Sequence, residues 1–170
     1  MDIKAIPARA RVRPKTAGYC FGPGEGGLVA LIWKNLDDTD HPDDWEANTV
    51  GDVEMVNSKI LAERDDYKHL ATMDVDIPTV VLNSSYSPLK QYIHARSRDL
   101  TDEGAARSAD RYAIGIGVGL IMLDNMERSA EKNGQGMDPD ALRGSQRSAA
   151  RSVLSVLPEY DDLAREVAEG

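Results

Sequence analysis

The sequence predicts an α+β fold, with a small mixed sheet from the N-terminal half covered by three or four helices from the C-terminal half. Three observations carry this expectation. Ile77-Pro78-Thr79-Val80-Val81-Leu82 is short and almost wholly apolar, the pattern of a strand buried on both faces. The segments before it read as short strands, one continuously apolar at 28–33 and others alternating over 1–20 and 50–56. After Ser87 the spacing becomes helical, and Pro88 and Pro139 stand where first helical residues are expected.

A chain of 170 residues suggests one domain spanning 1–170, strand-rich over 1–83 and helical over 84–170. Phe occurs once and Trp twice, so a core must be built from Ile, Val, Leu, Met and Ala. Twenty-nine acidic against twenty basic residues give a net charge of −9, which repels nucleic-acid phosphates and anionic membranes on average. Cys20 is the single cysteine, which rules out an internal disulfide and a Cys-rich zinc site and fits a reducing compartment. The apolar run 113–123 falls short of the ~20 residues that span a bilayer, and no signal-like segment opens the chain. The expectation is a cytoplasmic protein with no membrane span, no cofactor and no metal.

Taken in order, Ile3, Ile6, Ala8, Ala10 and Val12 alternate with Lys4, Arg9, Arg11 and Arg13, which suggests edge strands protected by charge. Gly22-Pro23-Gly24-Glu25-Gly26-Gly27 is a loop lacking the Gly-Lys-Ser/Thr of a phosphate cradle, and a buried strand follows it. Asp37 to Asp44 is the densest acidic cluster, but its spacing fits no calcium loop and reads as a solvated turn around Pro42. A strand at 50–56 leads into a helix expected over 57–71, and Asp74-Val75-Asp76 turns the chain into the central strand. Ser87 is expected to cap a helix over 88–98, and Thr101-Asp102-Glu103 to open a long one ending near Glu131. Within that helix Gly115, Gly117 and Gly119 each cost up to ~1 kcal/mol, and the 113–123 run alternates enough to suit a strand as well. Alanines before it and polar residues after it favour helix. Asn133-Gly134 breaks it, Asp138 caps a further helix running to Leu157, Pro158 ends that one, and a short helix covers 161–168.

One resemblance bears on function. Tyr67-Lys68-His69-Leu70, then Ile77 to Asn83, then Pro88-Leu89 and an Ala-rich helix resemble a segment downstream of the ATPase domain in bacterial histidine-kinase-like ATP-binding proteins. The likeness covers about residues 50–130, and where that family has Asn followed by His-Pro this chain has Asn83-Ser84-Ser85-Tyr86-Ser87-Pro88. None of the family's ATP-binding residues has a counterpart here. The resemblance implies a trailing accessory or assembly region of a larger bacterial machine.

The residues themselves offer three functional readings. The leading one is a non-catalytic interaction or assembly module, with a protein partner or a second copy meeting the glycine-rich helix at Gly115, Gly119 and Leu123. The alternative is a small hydrolase-like or ligand-binding enzyme built on the turn after the central strand. There Asn83 and Tyr86 would bind ligand and Ser84 or Ser85 would work with His69 or His94. No G-x-S-x-G elbow surrounds these serines. The third is a nucleic-acid contact through Arg143, Arg147 and Arg151, which recur every four residues, against the sign of the net charge.

Overall fold

The computed structural model describes the backbone of residues 18–21, 27–96 and 102–169, and side chains over 29–96, 102–158 and at 167. The charged alternation over 1–17 and the glycine loop 22–26 lie outside the described residues. The protein is α+β, with a small mixed sheet in the N-terminal half and helices in the C-terminal half. Strands β1 (Gly18–Phe21), β2 (Gly27–Lys34), β3 (Gly51–Asn57) and β4 (Asp76–Asn83) are ordered β1-β2-β4-β3. The apolar run at 77–82 thus occupies an interior strand, and Ile77, Val80, Val81 and Leu82 are all at most 2% exposed. Strand β1 pairs antiparallel with β2, with Gly18 opposite Ala30 and Phe21 opposite Gly27.

The chain forms two compact units and passes between them within β2, β3 and β4. The first comprises Met1–Ile32 and Val53–Val80. Its described core contains Val29, Leu31, Leu61, Tyr67, Leu70, Ile77 and Val80. The single helix expected over 57–71 is instead a short helix α1 (Ser58–Leu61) followed by a 3-10 helix (Asp65–Leu70). Residues three apart eclipse in 3-10 geometry, and this brings Tyr67 and Leu70 together into the core. The Tyr67 hydroxyl accepts a hydrogen bond from Leu31 N and donates one to Leu31 O, both at 2.8 Å. It does for Leu31 what a neighbouring strand would do.

The second unit comprises Trp33–Asp52 and Val81–Gly170, with helices α2 (Ser87–Ala95), α3 (Asp102–Lys132) and α4 (Pro139–Glu169). Helix α2 starts at Ser87, so Tyr86 rather than Ser87 occupies the cap position, and no side chain caps it. The run 113–123 is helical throughout. Helix α3 ends on Asn133-Gly134 as the sequence suggests. Gly134 takes φ +72°, the left-handed region that favours glycine. Gln135 N bonds Ala130 O and Gly134 N bonds Glu131 O, the paired arrangement of a Schellman cap. Asp138 then opens α4, its side chain accepting from Asp140 N at 3.2 Å. Pro158 does not end α4, which continues to Glu169. A proline removes one ladder bond, but the turns before it are anchored by Ala150 and Leu157, 0% and 2% exposed.

Helices α3 and α4 pack against each other, and α2 lies against both. A Cβ at Gly115 would lie 3.0 Å from Val153 Cγ1, and one at Gly119 would lie 3.6 Å from Ala149 Cβ. Advancing four residues along α3 moves the contact back four along α4, so the two helices run antiparallel. The close approach that the glycines allow is therefore made within the chain, by α4. Gly51 serves a second close approach, since a Cβ there would fall 2.3 Å from Val81 O.

Candidate functional site

The turn after β4 is held by the Asn83 side chain, which is 1% exposed. Its Nδ2 donates to Glu46 O at 3.0 Å and Thr49 O at 2.9 Å, while Oδ1 accepts from Ser85 N at 2.9 Å. All three bonds go to backbone, so the amide's donors are spent on joining the 46–49 loop to the turn. Ser85 Oγ donates to Asn35 Oδ1 at 2.6 Å and accepts from Leu36 N at 3.2 Å. Ser84 Oγ donates to Lys34 O at 3.1 Å. Of the four polar residues expected to form a site, Asn83 and Ser85 are buried in this network and Ser84 remains half-exposed.

Tyr86 is also buried, 1% exposed, and its ring stacks on Tyr112 at 6.5 Å, with Trp33 on Tyr112 at 6.4 Å. Burial pushes the Tyr86 hydroxyl pKa up, with Arg151 and then Arg147 opposing part of the rise. Burial, and then proximity to Tyr86, pushes the Tyr112 hydroxyl up further. That hydroxyl has no hydrogen-bond partner among the described residues.

Beside the turn, α2 and α3 line an open pocket of about 540 Å³ together with Trp33 and Ser84. Leu89, Ile93 and Ala109 give it an apolar lining, and Lys90 and His94 bring the polar groups. Leu89 and Ile93 form one row of α2 and Lys90 and His94 the adjacent row, each pair four residues apart. Ser84 and His94 thus share a pocket, as the enzyme alternative requires, but no hydrogen bond joins them among the described residues. The Ser84 proton goes to Lys34 O instead. His69 belongs to the first unit, exposed, with its ring tilted against Tyr67 at 6.4 Å.

The arginine stripe divides. Arg143 Nη1 lies 2.7 Å from Asp52 Oδ1, and its Nη2 lies 2.9 Å from Asp44 Oδ2. Nη1 also donates to Gln146 Oε1 at 3.2 Å and to Gly51 O at 3.3 Å. Trp45 Nε1 donates to the same Asp52 carboxylate at 2.6 Å. Burial works against the Arg143 charge, but Asp52 and then Asp44 outweigh it and push the guanidinium pKa up. Arg147 and Arg151 are exposed. The reason is periodicity: a step of four residues turns ~40° around a helix, so the stripe leaves the inward face after Arg143. The acidic loop noted in the sequence is tied down by the same contact at Asp44 and by Lys34 Nζ, which donates to Asp40 O at 2.8 Å.

Helix α3 supplies the remaining feature. No charged residue stands between Arg111 and Asp124. The inner side of that stretch buries Tyr112, Ala113, Ile116 and Leu120. Its outer side leaves Ile114, Val118 and Met122 exposed by 44, 40 and 60%, and Met126, just past Asp124, continues the row at 58%. Leu123 is half-buried. A helix apolar all round ordinarily has partners all round. The sequence signal was present in the uncharged window, but only the position of α4 tells which side lacks cover.

Among the described residues no His, Cys, Asp and Glu group has metal-ligand geometry, and no helix is long and apolar enough to cross a membrane. Comparison with known proteins finds no matching family model, no matching curated protein and no matching solved structure.

Proposed function

We propose that this protein is a non-catalytic assembly module of the cytoplasm that pairs with a second copy of itself through the outer ridge of α3. The observation that carries the reading is the exposed row Ile114, Val118, Met122 and Met126 on a helix whose opposite side is already buried. Rows four residues apart are the ridges by which helices interdigitate. An antiparallel two-fold pairing centred on Val118 sets Ile114 against Met122 of the partner subunit, and the reverse contact follows by symmetry. Gly115 and Gly119 face α4 of the same chain, so they set the α3–α4 spacing and the pairing belongs to the ridge beside them. Over 112–123 the uncharged window also removes the desolvation cost that an ion would add to such a contact, and Met126 falls at its margin, opposite Asp110 of the partner subunit. The resemblance over 50–130 implies a trailing accessory or assembly region of a larger bacterial machine, a role compatible with such a contact.

The test is solution mass by light scattering across a dilution series, for wild type and for Val118→Asp. A wild-type dimer that Val118→Asp converts to monomer, with an unchanged far-UV circular dichroism spectrum, supports the reading. A monomeric wild type throughout the series, or a dimer indifferent to Val118→Asp, refutes it.

A further inference from the structure

The pocket between α2 and α3 has a chemistry of its own, independent of the pairing just described. Its apolar wall comes from Trp33, Leu89, Ile93 and Ala109. Trp33 is backed by Tyr112, the two rings lying 6.4 Å apart and inclined by 23°, which gives that wall a stiff, flat component. In a chain of net charge −9 no acid among the described residues lines the pocket, whereas Lys90 and His94 both do. Lys90 makes no ion pair among the described residues. At about 540 Å³ the pocket falls in the ~300–1,000 Å³ range of small-molecule sites, mostly apolar with a few polar groups that fix orientation.

We infer that this pocket binds a small amphipathic monocarboxylate, with a flat apolar body against Trp33 and Ile93 and its carboxylate at Lys90 and His94. Three features select that class. The apolar lining rewards burial of a hydrocarbon or ring surface. A single lysine ammonium balances one negative charge, so a monocarboxylate suits it better than a doubly charged phosphate. Ser84 closes the polar side with its proton already donated to Lys34 O, which leaves Lys90 and His94 as the donors for an anion among the described lining residues. Lys90 and His94 share one row of α2, so one carboxylate can meet both.

The experiment is calorimetric titration of the full chain with naphthalene-2-carboxylate and with naphthalene-2-carboxamide, its uncharged counterpart of nearly the same shape. Expected are one site per chain and binding of the carboxylate about tenfold tighter than the amide, a difference equivalent to ~1.4 kcal/mol. Lys90→Met, a change at an exposed helix position that leaves the fold intact, brings the carboxylate down to the affinity of the amide. Ile93→Ala weakens both ligands alike and leaves their ratio unchanged. Absence of carboxylate binding, equal affinity for the two ligands, or a preference that survives Lys90→Met each overturns the proposal.

Discussion

Replacing Asn83 asks whether the turn after β4 is a structural joint. In Asn83→Ala, Thr49 O and Ser85 N each lose a partner they now hold at 2.9 Å. A buried backbone group left unpaired costs about 1–3 kcal/mol, so the substitution should cost about 2–6 kcal/mol. Glu46 is exposed, and water can replace its bond. Asn83→Asp is more diagnostic because it depends on pH. The new carboxylate keeps the bond from Ser85 N but would set an oxygen about 3 Å from the carbonyls of Glu46 and Thr49, with no proton to offer. Burial and these two dipoles raise its folded-state pKa above the unfolded value of ~3.9. A carboxyl raised in this way binds more protons in the native state. The deficit of Asn83→Asp is therefore smallest below the unfolded pKa, grows as pH rises through the folded pKa, and is complete above it. Urea unfolding of both variants beside wild type, at matched pH from about 4 to about 8, reads this directly. A cost below ~1 kcal/mol for Asn83→Ala, or a deficit of Asn83→Asp that does not change with pH, would refute the reasoning.

Three further expectations rest on equally local geometry. Tyr67→Phe removes both hydrogen bonds to Leu31 from a buried position and should cost about 1–3 kcal/mol, measured by urea unfolding. Tyr112→Phe should leave stability unchanged or raise its thermal midpoint, because the hydroxyl it deletes is buried without a partner among the described residues. In α4, a Cβ at Gly144 meets nothing within 4 Å among the described residues, so Gly144→Ala should stabilise by up to ~1 kcal/mol. Gly115→Ala is the contrast, since its Cβ would press on Val153 at 3.0 Å; it should gain less than Gly144→Ala or turn destabilising.

Much of the local structure was legible in the residue order. The apolar run at 77–82, the Asp138-Pro139 start of α4 and the Asn133-Gly134 end of α3 each depend on neighbours within one turn or strand. Three readings needed more than local order. The segment 57–71 has helical spacing, yet it tightens into 3-10 form where the Tyr67 hydroxyl bonds Leu31, thirty-six residues away. Pro158 carries a strong local stop signal, which packing at Ala150 and Leu157 overrides. Gly51 read as an ordinary strand residue, and its close approach to Val81 O exists only once the strands pair.

The candidate sites divide along the same line. The sequence by itself determined the α+β class, the glycine-rich helix and the uncharged window from 112 to 123, because composition and periodicity are properties of the chain alone. It also brought Asn83, Ser84, Ser85 and Tyr86 to notice as polar groups ending a buried strand. Only the tertiary structure decided what each group does. It spent the amide of Asn83 on the 46–49 loop and tied Arg143 to Asp44 and Asp52 while leaving Arg147 and Arg151 outside. It filled the glycine groove of α3 with α4, leaving Val118 and Met122 exposed. The physical reason is that a side chain's partners are fixed by segments thirty to a hundred residues away, and no local pattern encodes which of them will arrive.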